Sequence, residues 1–138
     1  MEKKLIWGGL AGGATSFLLG WLFYGFLLMD FFEAQATPGI YKEMPDFPFL
    51  IIGNIIMGFL YATVIGSWAK AVSAADGAKK GFVFALLLSC GFDFIMYSTA
   101  NIMTMQAMFA DIAVSTVMGT IVGAVVAMVM GSSQKAAS

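Results

Sequence analysis

The sequence predicts an all-α integral membrane four-helix bundle, and three observations lead there. Hydrophobic residues fill 60% of the 138 positions and charged residues only 11%, where an ordinary soluble domain carries roughly a quarter. Mean hydropathy is +0.89. Four apolar stretches, at residues 5–29, 47–69, 81–100 and 107–130, are each long enough to cross a bilayer core of about 30 Å at about 1.5 Å per residue. The runs are too long for β-barrel strands and lack period-two alternation. A single transmembrane domain over residues 1–138 is expected.

The first stretch follows Lys3 and Lys4, and Ala34-Gln35-Ala36 resembles a signal-peptide cleavage site. The apolar run is about twice the usual signal length, however, and Asp30 and Glu33 precede that site. It reads as a retained helix. Residues 30–46 form an acidic outer loop, with Asp30, Glu33, Glu43 and Asp46. Pro38, Pro45, Pro48 and Gly39 mark it as a non-helical excursion. Residues 70–80 and 101–106 read as the remaining connections, and the small, polar tail at 131–138 is expected to fray from its helix.

Lysine placement predicts topology. Lys3, Lys4, Lys70, Lys79, Lys80 and Lys135 fall on one side of the spans and Lys42 on the other. The positive-inside rule then puts both termini and the second connection in the cytoplasm, in a bacterial inner membrane. Trp7 and Trp68 sit near the inner boundary, Tyr41 and Phe47 near the outer one.

Composition excludes several functions. The chain has no histidine and no arginine, and Cys90 is its single cysteine. Histidine-based metal or haem sites, Ser-His-Asp hydrolysis, disulfides and guanidinium forks are thereby removed. A net charge of −1 gives no reason to expect nucleic acid. No lysine lies inside a span to hold retinal, and an intramembrane aspartyl dyad of Asp93 and Asp111, conceivable on two different helices, has no supporting motif. Neither an enzyme, a cofactor nor a metal is expected. Met103, Met105 and Met108 form a thioether cluster near the last connection that could suit Cu(I). Without His or Cys beside them, they read better as packing groups.

Every fourth residue of each span is small or polar, and residues so spaced share one helix face. The stripes are Gly8, Gly12, Ser16, Gly20, Tyr24; Asn54, Gly58, Ala62, Gly66; Gly81, Ala85, Ser89, Asp93, Tyr97, Asn101; and Asp111, Ser115, Gly119, Gly123, Ala127, Gly131. In lipid, helices associate through close approach of small residues. These faces should therefore turn inward, with Gly8, Gly12, Ser16, Gly20, Gly58, Gly66, Gly119 and Gly123 carrying the packing. The doublets Gly8-Gly9 and Gly12-Gly13 widen the first stripe enough for two neighbours or another protomer. Met57-Gly58 with Gly66 resembles Met118-Gly119 with Ala127, and Lys3-Lys4 matches Lys79-Lys80, which suggests two repeated helical hairpins.

Polar groups from all four spans should meet in one outer layer. Asp93 and Asn54 lie roughly 10 Å below the outer ends of their helices and Asp111 roughly 6 Å. Tyr24, Tyr97, Asn101 and Ser115 fall near them. A carboxylate in the membrane costs about 2.5–3.5 kcal/mol on insertion scales and usually faces a partner. Three roles stay open: interhelical glue, a proton or cation site, or a site for a cationic organic ligand.

The run Gly20-Trp21-Leu22-Phe23-Tyr24-Gly25 resembles the first-helix end of small bacterial four-helix membrane families of unknown function. Asp93…Tyr97-Ser98-Thr99-Ala100-Asn101…Asp111-Ile112…Gly119 resembles their third-to-fourth helix region. The resemblance implies fold and location and no activity. Two functions are then expected in order. The first is a non-enzymatic accessory or structural subunit that self-associates in the bilayer, as a homo-oligomer or in a larger complex. The second is a small ion- or proton-coupled transporter or permeation protein using Asp93 and Asp111.

Overall fold

A computed structural model describes residues 2–137, with side chains described for 3–131. Among the described residues five α-helices form, and four helices are long and apolar enough to cross a membrane. Lipid offers backbone groups no partners, so each crossing segment must satisfy them within its own helix. Helix α1 spans Glu2–Leu22 and continues as a π-helical segment, Phe23–Leu27. There the Leu28 N–H reaches back five residues to the Phe23 carbonyl at 2.8 Å. The stretch predicted to be wholly non-helical instead opens with a short helix α2, Met29–Gln35, which buries Phe32. Asp30 sits in its first turn, where a negative charge is favourable. It stops at Gln35 because Pro38 forces the residue before it out of helical geometry.

Helix α3, Phe47–Tyr61, starts with a proline in its first turn and continues as a second π-helical segment, Ala62–Trp68. Helix α4 spans Ala74–Thr99 and so begins before the predicted Gly81. The cause is a local cap. Ser73 Oγ accepts the Asp76 N–H at 3.1 Å, and Asp76 Oδ2 accepts the Val72 N–H at 3.0 Å. Lys80 adds an ion pair to Asp76 at 2.8 Å. These polar residues extend the helix past its apolar part, where water replaces lipid. Helix α5 spans Met105–Ala137, so the tail expected to fray is helical up to Ala137, and Ser138 lies outside the described residues. The side chain of Lys135, counted above for topology, also lies outside them.

Neighbouring crossing helices run antiparallel. Both chain ends and the α3–α4 connection share one end, called here the terminal end, and the other two connections share the loop end. Helix α5 packs along α4 and α1, and α1 packs along α3. The glycine seams explain these pairings. A Cβ on Gly58 would strike the backbone of Gly9 and Gly13, and one on Gly123 would strike the backbone of Gly77 and Gly81. Gly119 has Gly81 and Ala85 against it. Gly8 and Gly66 both receive the Met130 side chain, and a Cβ on Gly12 would stand 2.9 Å from Val126 Cγ2. Both edges of the wide α1 stripe are therefore occupied within the chain, by α3 and by α5. Two expected packing residues do other things. A Cβ on Gly20 would meet only Met118 Cε at 3.8 Å, and Ser16 faces a cavity rather than a helix.

The bundle is not closed on every side. Helix α3 leans on α1 and meets α4 through its π-helical end and through Tyr61, whose ring stands edge-on to Phe84 at 5.1 Å. That end holds the buried core of Tyr61, Ala62, Ile65, Ala85, Val122 and Val126. Toward the loop end α3 and α4 diverge, and a cleft opens between them.

Candidate functional site

The α4–α5 seam places two carboxyl groups face to face. Along α4 the stripe Gly81, Ala85, Ser89, Asp93 turns toward α5, and along α5 Asp111, Ser115, Gly119, Gly123 turns back toward α4. The glycines let the backbones touch, and the same register carried toward the loop end brings Asp93 opposite Asp111. Both side chains line the same cavity. Asp93 is 7% exposed, and its Oδ2 has no hydrogen-bond partner among the described residues. Asp111 is better supplied. Tyr24 Oη–H donates to its Oδ1 at 2.6 Å, and Ser115 Oγ lies 3.3 Å from the same tyrosine oxygen.

Tyr24 reaches this position from the π-helical segment of α1, where a widened turn redirects side chains. Phe32 of α2 packs on its ring at 5.1 Å and is itself buried. The two connections at this end are stitched together beyond it. Ala36 bridges Met103, the Thr37 N–H donates to the Ile102 carbonyl at 3.1 Å, and the Thr104 N–H donates to the Gln35 carbonyl at 3.2 Å. Thr37 Oγ1 also donates to the Asn101 carbonyl. The loop-end side of the acid pair is thus covered by protein.

On its other side the pair borders a cavity of about 440 Å³. Asp93, Asp111 and Ser115 form its polar part. Met57 and Tyr61 of α3, Leu88 and Phe92 of α4 and Met118 of α5 make an apolar wall. Ser16 and Ser89 also line it, but Ser89 Oγ donates to the Ala85 carbonyl of its own helix at 2.7 Å. Phe92 is both wall and surface, at 64% exposed, so the cavity opens sideways between α3 and α4.

Of the residues expected to converge, Asp93, Asp111, Tyr24 and Ser115 do so. Asn54, Tyr97 and Asn101 do not. Asn54 packs at Gly13, and its amide nitrogen donates to the Leu50 carbonyl of its own helix at 2.8 Å. Tyr97 is 38% exposed and stays outside the cleft, and Asn101 contributes its carbonyl to the stitched loops. A four-residue period identifies a face but not the neighbour that the face meets, and α3 lies too far from α4 to bring Asn54 across. The methionines near the last connection also part company: Met108 is buried and Met105 is exposed. Sequence reasoning overlooked the cavity wall. Met57 and Tyr61 stand four apart on α3, and Phe92 adjoins Asp93, but large apolar residues in a membrane helix look alike whether they face lipid or a cleft.

Comparison with known protein families, with curated proteins and with solved structures returned no match. The chemistry of the site therefore carries the functional argument. Ionised carboxylates only accept hydrogen bonds. The Asp93 oxygen to which no described residue donates can be satisfied by a proton, a cation or a water.

Proposed function

We propose that this chain is a small ion- or proton-coupled permeation or transport protein, with the Asp93–Asp111 pair as its exchange site. The observation that carries the reading is the buried Oδ2 of Asp93, to which no described residue donates, in a cavity that Asp111 also lines. A purely structural aspartate would be expected to find a donor, as Asp111 finds Tyr24. The lysine distribution supports a bacterial inner-membrane location with both termini cytoplasmic. In that orientation the acid pair lies in the outer half of the bilayer.

The test is flux in proteoliposomes. Protein is reconstituted with an entrapped pH dye, and a proton gradient, then sodium and potassium gradients, are imposed. The wild type is expected to collapse at least one gradient faster than empty vesicles, and Asp93→Asn to return that rate to the empty-vesicle value. A wild type indistinguishable from empty vesicles under all three gradients, with and without an amphiphilic organic monocation outside, rejects the reading.

A second reading, a self-associating accessory subunit in a homo-oligomer or larger complex, keeps one observation. Gly53 on α3 and Gly91 on α4 have open space where a Cβ would stand, so another helix could approach closely there. Sedimentation in detergent tests it: a wild-type dimer that Gly91→Leu converts to monomer supports association through this surface, and a monomeric wild type rejects it.

A further inference from the structure

We propose that the ligand of the cleft is an amphiphilic organic monocation, a lipophilic quaternary or protonated amine or phosphonium, which enters from the bilayer between α3 and α4 and binds against the Asp93–Asp111 pair. This rests on the reading of that pair as an exchange site and names what it exchanges.

The shape of the site argues against a bare metal ion. A dehydrated hard cation needs about six oxygen ligands at close range. Here two carboxyl groups and the hydroxyls of Tyr24 and Ser115 lie at one edge, and most of the remaining wall is carbon and sulfur. The volume of about 440 Å³ is far more than an ion fills, and it falls in the range of about 300–1,000 Å³ typical of organic-ligand pockets.

The wall fits the organic part of such a cation. Tyr61 and Phe92 put aromatic rings in the wall, which suit a positive centre, and Met57 and Met118 are flexible and polarisable enough to follow an irregular apolar shape. The opening fits its route. Phe92 is 64% exposed and Met57 37% exposed, on a surface where Ile56 and Leu87 also present bare hydrocarbon. The loop end is covered by Tyr24, Phe32 and the stitched connections. Access therefore runs sideways, from the phase in which an amphiphilic cation concentrates.

Charge fixes the stoichiometry. With one proton held between them, the two carboxyl groups carry a net −1, which one monocation neutralises. Binding to that state is ionic: no bond breaks and no electron moves.

The experiment measures binding of tetraphenylphosphonium to the purified full-length chain in uncharged detergent, by equilibrium dialysis. Tetraphenylborate, nearly the same shape with the opposite charge, is the comparison ligand. Saturable binding of one tetraphenylphosphonium per chain is expected, with no saturable binding of tetraphenylborate offered by itself, and loss of cation binding in Asp93→Asn. Met57→Trp, which fills the wall without touching an acid, is expected to weaken binding by about tenfold or more. It carries the test by itself if Asp93→Asn does not fold. Absence of saturable binding overturns the proposal, as does equal binding of tetraphenylborate or indifference to both substitutions. If the liposome assay shows Asp93-dependent flux while tetraphenylphosphonium is not bound, the organic cation is wrong and the exchange site stands. Failure of both assays removes both.

Discussion

Tyr24 and Asp111 are 87 positions apart in the chain, and their side chains meet at 2.6 Å across the α1–α5 contact. The tyrosine comes from a π-helical turn and is backed by Phe32. This hydrogen bond joins the two hairpins at the level of the acid pair. It gives Asp111 the donor that Asp93 Oδ2 lacks.

Tyr24→Phe keeps the ring packing on Phe32 and removes the donor. It should destabilise the protein by about 1–3 kcal/mol, the cost of leaving a buried acceptor unsatisfied. In an Asp111→Asn background the same change should cost less, because the amide has other ways to pair. Thermal unfolding in detergent on the four proteins of this double-mutant cycle measures the coupling, and additive effects would contradict a direct bond.

Asp93→Asn should separate stability from activity. The asparagine amide donates to Asp111, so the variant should unfold at or above the wild-type temperature while its flux disappears. Asp93→Leu should lose both, because it leaves Asp111 facing hydrocarbon. If Asp93→Asn instead unfolds at a markedly lower temperature, the carboxyl group holds the helices together and its role is structural.

Two glycines on the crossing helices should respond in opposite ways to a single methyl group. Gly123→Ala drives a Cβ into the backbone of Gly77 and should cost about 1–3 kcal/mol through overpacking. Gly91→Ala meets open space and should stabilise by roughly 0.5–1 kcal/mol through backbone entropy. Unfolding temperatures of both variants decide this, and equal effects would refute the α4–α5 seam.

The stitched loops predict a cross-link. Ala36 and Met103 form an antiparallel bridge, whose Cα separation of about 4.5–5.5 Å suits a disulfide. Ala36→Cys with Met103→Cys, in a Cys90→Ala background, should oxidise readily and shift on a non-reducing gel. Tetraphenylphosphonium binding should survive the cross-link, because the route lies between α3 and α4. Loss of binding on oxidation, reversed by reductant, would place the entrance at the loop end instead.

Much of this molecule was legible in its sequence. Fifteen charged side chains in 138 residues identify lipid as the solvent, and lipid obliges every crossing segment to be helical. Gly58, Gly119 and Gly123 were recognisable as packing residues because only a missing side chain lets helices touch without a hydrophobic drive between them. Asp93 and Asp111 stood out because a carboxylate inside a span is costly. These are local properties of one segment in one solvent. The order of neighbours was not local. That α3 leans on α1 and leaves α4, that Asn54 stops at Gly13, and that Met57, Tyr61 and Phe92 line a cleft all follow from which small-residue faces fit together. A helix carries the same stripe whichever partner takes it, so only tertiary packing decided where the bundle opens and which side chains surround the acid pair.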